Sequence, residues 1–268
     1  MAQQLCLCIL SIMMRSQKKI LKQNKVPILL VLFSLLAMAS CAKQQSFFQF
    51  TTEKVDRDIV DDLKRLKAPP PPGLLYNDTT YEVWKTCSGE WGGTVYFKNK
   101  KTGKIYCAEA TCPVSVNKIN NNYYISNSLS HLFGSSDILE ITDPETMEQV
   151  TKIPVSPSDI IMRKESHSSK GTKKLIDTSG VIIMSSFVYK QKLYSILLNH
   201  RTKQATISEL RDNKFYTIQE IDKDFFSDNP FIIKESETYQ KIYLQQPKPA
   251  IIEIKNNKIR IILYSQKK

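Results

Sequence analysis

The pattern of apolar and polar residues changes twice along this chain and divides it into three parts. Residues 26–42 are uncharged and mostly apolar. From residue 53 to residue 67, apolar residues recur at spacings of three and four, which is typical of one face of a helix. Beyond Tyr81, short runs rich in Val, Ile, Tyr, Phe and Thr alternate with polar clusters, and this alternation predicts strands joined by turns. The pattern predicts an apolar leader, one helix and an all-β region.

The leader has the organisation of an export signal. Its apolar stretch is shorter than the roughly 20 residues that a membrane-spanning helix needs, and Ala39 and Ser40 directly precede Cys41. Four lysines form the basic segment before it, Lys18, Lys19, Lys22 and Lys25, and Arg15 precedes them. The segment resembles the lipobox of bacterial lipoproteins, in which the cysteine is diacylated and becomes the mature N-terminus. It departs from that motif at Met38, where Leu is usual. An uncleaved membrane anchor is the alternative.

This resemblance implies a location. We expect residues 1–40 to be removed as a signal peptide and Cys41 to carry acyl chains such as palmitate, which would anchor the protein in the cell envelope. Ala42 follows the cysteine, and a residue other than Asp there resembles outer-membrane sorting. A separate apolar patch at residues 5–10 precedes the basic segment. Because a signal peptide does not need it, we expect translation to start at Met13 or Met14.

The segment after Cys41 predicts a stalk. The apolar stripe of the expected helix 53–67 consists of Val55, Ile59, Leu63 and Leu66. Acidic residues cluster in its first turns and basic residues in its last, which complements the helix dipole. Residues 69–72 are four prolines, which end a helix and favour polyproline II. We therefore expect residues 41–75 to form a lipidated tether, a helix and a proline-rich linker, and residues 76–268 to form the all-β domain.

Short repeats indicate how the strands are grouped. A Lys-Ile/Leu-Tyr string begins at residues 104, 192 and 241, and similar polar turns at residues 211–214 and 255–258 lie 44 residues apart. Four-stranded units of roughly 40–45 residues are typical of β-propeller blades. The sequence predicts units at residues 93–142, 181–221 and 231–264, and a degenerate unit with a Ser/Lys-rich loop at residues 147–175. A β-sandwich or barrel is the alternative.

Charge excludes one class of function. The formal net charge of +12 falls by five, to +7, when the basic residues of the leader are removed. The lysines are scattered, and no dense basic block alternates with aromatic residues, as a nucleic-acid surface would require. We expect no nucleic-acid partner. A solvated lysine-rich surface, or attraction to anionic headgroups or acidic glycans, explains the excess.

Three cysteines remain after Cys41: Cys87, Cys107 and Cys112. In an oxidising compartment one disulfide is expected among them, with one thiol left over. Cys107 with Cys112, across a hairpin, and Cys87 with either are the alternatives. Zinc-type spacings are absent from the sequence, and we expect no metal and no cofactor.

Two strings stand out as candidate sites. Residues 87–93, CSGEWGG, hold three of the eight glycines, so the backbone there can take positive φ. Glu90 and Trp91 could hold a sugar or a partner; the alternative is a bulged turn whose Trp91 fills the core. Residues 128–137, SLSHLFGSSD, place His131 between Ser and Asp residues, but no nucleophile-elbow string surrounds these serines. We expect no catalytic residue here.

The strings GEWGGTVYFKNKKTGKIY and YYISNSLSHLFGSSDILEITDP resemble those of uncharacterised lipoproteins of Gram-negative bacteria with propeller-like domains. The resemblance implies a fold and a location and no activity. We expect a membrane-anchored binding or scaffold module whose ligand, an envelope protein or a glycan, contacts loops at one end of the strands, with Glu90, Trp91 and His131 as candidates. The alternative is a glycan-active enzyme, which would need two facing carboxylates roughly 5–10 Å apart.

Overall fold

The computed structural model of the protein describes residues 47–65, 71–154, 165–221, 230–244 and 249–265. These residues form eighteen strands, one α-helix and two 3₁₀ turns, which confirms the predicted all-β class. The predicted signal, Cys41 and the end of the expected helix at Leu66 lie outside the described residues.

The strands form four sheets that follow one another along the chain in the manner of propeller blades. The first sheet contains β2 (Leu74–Asn77), β3 (Tyr81–Cys87), β4 (Gly93–Asn99), β5 (Ile105–Glu109) and β9 (Glu148–Val150). The second contains β6 (Pro113–Ile119), β7 (Asn122–Leu129), β8 (Ser135–Ile141) and β10 (Lys173–Ser179). The third contains β11 (Val181–Tyr189), β12 (Lys192–Asn199), β13 (Ala205–Arg211) and β14 (Lys214–Ile221). The fourth contains β15 (Phe231–Ser236), β16 (Tyr239–Leu244), β17 (Ala250–Lys255), β18 (Lys258–Tyr264) and β1 (Gln49–Val55).

The unit boundaries agree with the sequence in the second half of the domain and differ in the first. Predicted units 181–221 and 231–264 coincide with the third sheet and with strands β15–β18. Predicted unit 93–142 is wrong, because it joins half of the first sheet to most of the second. The predicted unit 147–175 is also wrong: it supplies β9 to the first sheet and β10 to the second.

The predicted helix 53–67 is wrong in its first part. Residues 53–55 belong to β1, which pairs in parallel with β18, and the helix α1 (Ile59–Lys64) begins after Asp58, whose side chain accepts a hydrogen bond from the N–H of Val60. Val55, Ile59 and Leu63 do share one apolar cluster on the fourth sheet. The apolar spacing was therefore correct as a packing stripe, but a strand and a helix contribute to it in turn.

The cores lie between neighbouring sheets. Separate apolar clusters join the first sheet to the second, the second to the third, and the third to the fourth, while α1 covers the other face of the fourth. Strand β12 is buried at six consecutive residues, because sheets cover both of its faces. Its continuous apolar run follows from that double burial.

Buried serines link the second sheet to the third. The register of β11 shifts between Ile183 and Ser185, and such a bulge takes backbone N–H groups out of the strand ladder. The N–H of Ile183 donates to the hydroxyls of Ser128 and Ser136, at 3.1 and 3.0 Å, and that of Ser186 donates to Ser115 at 3.0 Å. Side chains of the second sheet thus satisfy the buried donors, as a buried backbone requires.

The strands of the four sheets share two common ends. We call one the tether end; it holds the start of β1 and the two-residue turns 190–191, 212–213 and 256–257. The opposite end, the cleft end, holds the loops 88–92 and 130–134 and the turn 200–204. Hydrogen bonds from Gly180 to Gly134 and from His200 to Gly180 join the second and third sheets at the cleft end.

Candidate functional site

The candidate site begins with a disulfide at the cleft end. Of the pairings that the sequence left open, the structure has Cys87–Cys112, with Cα atoms 4.5 Å apart. The bond joins the end of β3 to the residue before β6, and so ties the loop 88–92 to the second sheet. Cys107 is a free thiol, buried to 2% exposure in β5, and burial raises its pKa, so this thiol lacks the exposure and lowered pKa of a reactive cysteine.

Glycines shape the first loop so that Trp91 points outward. Gly89 has φ +64° and Gly92 has φ +95°, values that L side chains rarely adopt. The 3₁₀ turn Gly89–Trp91 begins at the first of these glycines and ends just before the second. Trp91 is 79% exposed. The alternative in which Trp91 fills the core is therefore wrong.

The second loop presents two more apolar side chains. Leu132 is 73% exposed and Phe133 is 80% exposed, and Leu132 has φ +51°. The loop is packed onto the third sheet at Gly134, where a Cβ atom would lie 3.1 Å from Ile182 and 3.3 Å from His200. Both side chains are thus held outward by a loop that is fixed at its base.

A polar contact joins the two loops. His131 Nδ1 lies 3.2 Å from Glu90 Oε2, and both side chains are about half exposed. A contact of this kind at the surface contributes at most about 1 kcal/mol. It brings together two of the three residues singled out in the sequence and sets Trp91 beside the loop of Leu132 and Phe133.

We call Trp91, Leu132 and Phe133 the apolar patch. They are the three most exposed large hydrophobic residues in the described part of the chain. Their exposed side chains add up to on the order of 400–500 Å² of apolar surface on two neighbouring loops, an amount comparable to that of functional patches on monomeric proteins. A patch on braced loops needs little ordering when a partner binds.

Next to the patch is an open cleft of about 700 Å³, lined by Trp91, His131 and Lys85 among others. Lys85 Nζ donates to the carbonyl oxygen of Pro113 at 2.7 Å, and no carboxylate of the described residues lies within ion-pair distance of it. Burial lowers the pKa of Lys85. The cleft therefore has an apolar wall and one amine, which already donates to a backbone carbonyl.

A buried carboxylate, that of Glu165, stabilises the loop 88–92 and the strands on either side of it. Glu165 accepts hydrogen bonds from the hydroxyls of Thr86, Ser88 and Thr94, at 2.5, 2.6 and 2.7 Å. Thr86 is on β3 and Thr94 is on β4, on either side of the loop 88–92, and Ser88 is the first residue of that loop. Glu165 thus fixes the two strands that carry Trp91.

The sequence identified part of this site. Glu90 and His131 contact each other and Trp91 lies at the adjacent surface, but Leu132, Phe133, Lys85 and Glu165 were not singled out. The Ser, His and Asp residues of 128–137 do not assemble a triad, because His131 contacts Glu90 and Asp137 accepts from Asn127 at 2.7 Å. The Leu-Phe pair in the predicted loop was the one sequence feature that pointed to an exposed apolar surface. The sequence alone does not show whether such a pair is exposed or buried in the core.

Neither the known protein-family models nor the curated proteins contain a match to this chain. Among the described residues, no helix has the length and apolar character needed to cross a membrane. The same residues contain no cluster of three or more His, Cys, Asp or Glu side chains that could hold a metal ion.

Proposed function

We propose that this protein is a lipid-anchored module of the cell envelope, outside the cytoplasm, that binds another envelope protein through the apolar patch. The anchor is the acylated Cys41 that the leader implies. The apolar patch is the observation that carries the binding role, because three large apolar side chains are exposed on two neighbouring loops at one end of the sheets.

The patch favours a protein over a glycan as ligand. A sugar-binding aromatic ring is normally accompanied by several polar groups that fix the sugar hydroxyls, whereas Leu132 and Phe133 add apolar surface on the neighbouring loop. Aromatic side chains in the centre of a contact supply most of the affinity in protein interfaces. Trp91 and Phe133 are the residues that we expect to dominate.

The cleft supports binding better than glycan hydrolysis. Glu90 is its one acidic residue among those described as lining it, whereas a hydrolase needs two facing carboxylates. A second cleft, between β2 and β15, holds Glu235 and Glu237. These pair with Lys241 at 2.8 Å and with Lys234 at 3.2 Å, which is the arrangement of structural ion pairs.

The test is co-purification after cross-linking in the native cell. Wild type is compared with Trp91→Ser/Phe133→Ser and with a matched control, Tyr216→Ser/Ile218→Ser. The control removes two apolar side chains that are also exposed but lie on β14, away from the patch. Mass spectrometry of the mature N-terminus determines separately whether Cys41 is acylated.

We expect one abundant protein partner with wild type and with the control, and at least a tenfold loss with the patch variant. Equal recovery with all three proteins would refute the role of the patch. Glycan binding that depends on Trp91, with no protein partner, would instead favour the glycan alternative. An unmodified Cys41 would refute the lipid anchor without affecting the test of the patch.

A further inference from the structure

The place where the chain enters the fold limits how an anchored protein can be oriented. Strand β1 begins at Gln49, opposite Lys258 at the tether end. Phe48, just before it, is fully buried between the third and fourth sheets. The described fold therefore starts only a few residues after Cys41 in the sequence.

The chain between the anchor and the fold is short. Cys41 and Phe47 are six residues apart, and at about 3.3–3.6 Å per residue they are separated by at most about 22 Å. Part of that length is taken up by the headgroup layer, which is roughly 5–7 Å thick in each leaflet. If Cys41 is acylated, the tether end must lie close to the membrane surface.

Three turns around this entry point are rich in basic residues, while the neighbouring turn 237–238 carries Glu237, which pairs with Lys234 at 3.2 Å. We call Lys190, Lys192, Arg211, Lys214, Lys255 and Lys258 the basic turns; all six are exposed, and Asp212 is the one acidic residue among the turns that carry them. Lys192 pairs with Glu209 at 2.9 Å. For the other five, no carboxylate of the described residues is within ion-pair distance, so their charge is available to an outside anion.

An exposed aromatic side chain lies in the middle of this basic surface. Phe47 is 41% exposed, and Lys190 Nζ is 5.9 Å from the centre of its ring. Its ring also contacts Tyr189, with centroids 5.6 Å apart. An aromatic ring flanked by lysines is the composition found at the headgroup level of membrane-bound proteins.

We infer that the tether end is a docking surface for anionic lipid headgroups, with the basic turns on the phosphates and Phe47 in the headgroup layer. This inference rests on the proposed lipid anchor for its geometry and on the basic turns for its chemistry. Since the strands between the two ends are about 7 residues long, they hold the apolar patch roughly 20–25 Å above the tether end. Docking of one end thus presents the other end to a partner.

The experiment uses the mature lipidated protein reconstituted into vesicles with a headgroup-attached fluorescence quencher. A fluorophore is placed on Gln191→Cys at the tether end or on Gln204→Cys at the cleft end, in vesicles with or without 30% anionic lipid. A charge-reversed protein, Lys214→Glu/Lys258→Glu, is compared with a control that makes the same change of charge in the turn 200–204 at the cleft end, Arg201→Glu/Lys203→Glu.

We expect quenching at Gln191→Cys at least threefold stronger than at Gln204→Cys in anionic vesicles. The difference should decrease at 0.5 M salt, which screens charges beyond about 4 Å, and in the Lys214→Glu/Lys258→Glu protein, but not in the control. Equal quenching at the two sites, or quenching that is indifferent to lipid charge, would overturn the inference. Binding of the basic turns to an acidic polysaccharide with no lipid-dependent quenching would overturn it too.

Failure of the anchor is separable from failure of the docking surface. If Cys41 proves unmodified, the same chain is sedimented with anionic and with neutral vesicles. Sedimentation with anionic vesicles alone, reversed by salt and lost in Lys214→Glu/Lys258→Glu, would support the docking surface without the anchor. Its absence would overturn the docking surface.

Discussion

Removal of the Cys87–Cys112 disulfide should lower the stability of the whole domain by a calculable amount. The bond closes a loop with a sequence separation of 25 residues. The chain-entropy model attributes the effect to the unfolded state, which gains conformational entropy when the bond is absent. For a loop of this length, that gain lowers the free energy of unfolding by about 3.5 kcal/mol. For a domain of this size that corresponds to a fall in Tm of about 7–14 °C.

The variant is Cys87→Ala/Cys112→Ala, and thermal unfolding is followed by circular dichroism and by tryptophan fluorescence. Cys107→Ala is the matched control, since it removes a buried thiol that takes no part in the bond, and it should cost about 1 kcal/mol. Reducing agent should lower the Tm of wild type to that of the double variant and leave the double variant unchanged.

A double variant with a Tm within about 2 °C of wild type would refute the reasoning. It would mean that the loop 88–92 is held by other contacts, such as the hydroxyl groups on Glu165. A Cys107→Ala protein that loses as much stability as the double variant would refute the assigned pairing. A stabilising disulfide is what the proposed location outside the cytoplasm would permit.

Three further substitutions test the framework that supports the site. Ser186→Ala removes a hydroxyl 2.7 Å from both Ser126 and Ser195, and we expect a loss of about 1–3 kcal/mol in urea unfolding; a change below 0.5 kcal/mol would contradict the role of the serine network. Gly93→Ala would place a Cβ atom 2.6 Å from the carbonyl oxygen of Ala110, and the backbone shift that relieves this clash should cost about 1–3 kcal/mol of unfolding free energy. Unchanged stability would show that the strands can move apart at no cost. Burial alone would raise the pKa of Asp78, but hydrogen bonds from Lys118, Tyr123 and the backbone outweigh it and lower the pKa to about 2. Because the pKa of an unfolded Asp is about 3.9, this contribution to stability is present above pH 4 and is lost as the pH falls towards 2. Asp78→Asn should therefore be less stable than wild type at pH 6 and should lose less unfolding free energy between pH 4 and pH 2. An equal loss of unfolding free energy in wild type and variant over that range would contradict this.

The part of the fold that could be predicted is the part where neighbours in sequence are neighbours in space. Units 181–221 and 231–264 were visible because two-residue turns, such as Asp212–Asn213 with φ +51° and +57°, join consecutive strands. In the first half, residues 142–172 separate β8 from its partner β10, and β9 in between returns to the first sheet. No periodic pattern in the sequence indicates a pairing between strands that lie this far apart along the chain.

The parallel pairing of β1 with β18 could not be predicted for the same reason, since Gln49 and Lys258 are more than 200 residues apart. At the site, unusual local composition was enough to single out Glu90, Trp91 and His131. It was not enough for Leu132 and Phe133, because their exposure depends on how Gly134 packs against Ile182 and His200. Residues that act through long-range contacts, such as Glu165, leave no signal in the sequence.

The most direct test of the central claim is site-specific photo-cross-linking in living cells, with a photoreactive amino acid at Phe133 in the apolar patch or at Ile218 on β14. The account predicts a discrete adduct with one envelope protein from position 133 and none from position 218. No adduct at position 133, or the same adducts from both positions, would contradict a binding role for the patch.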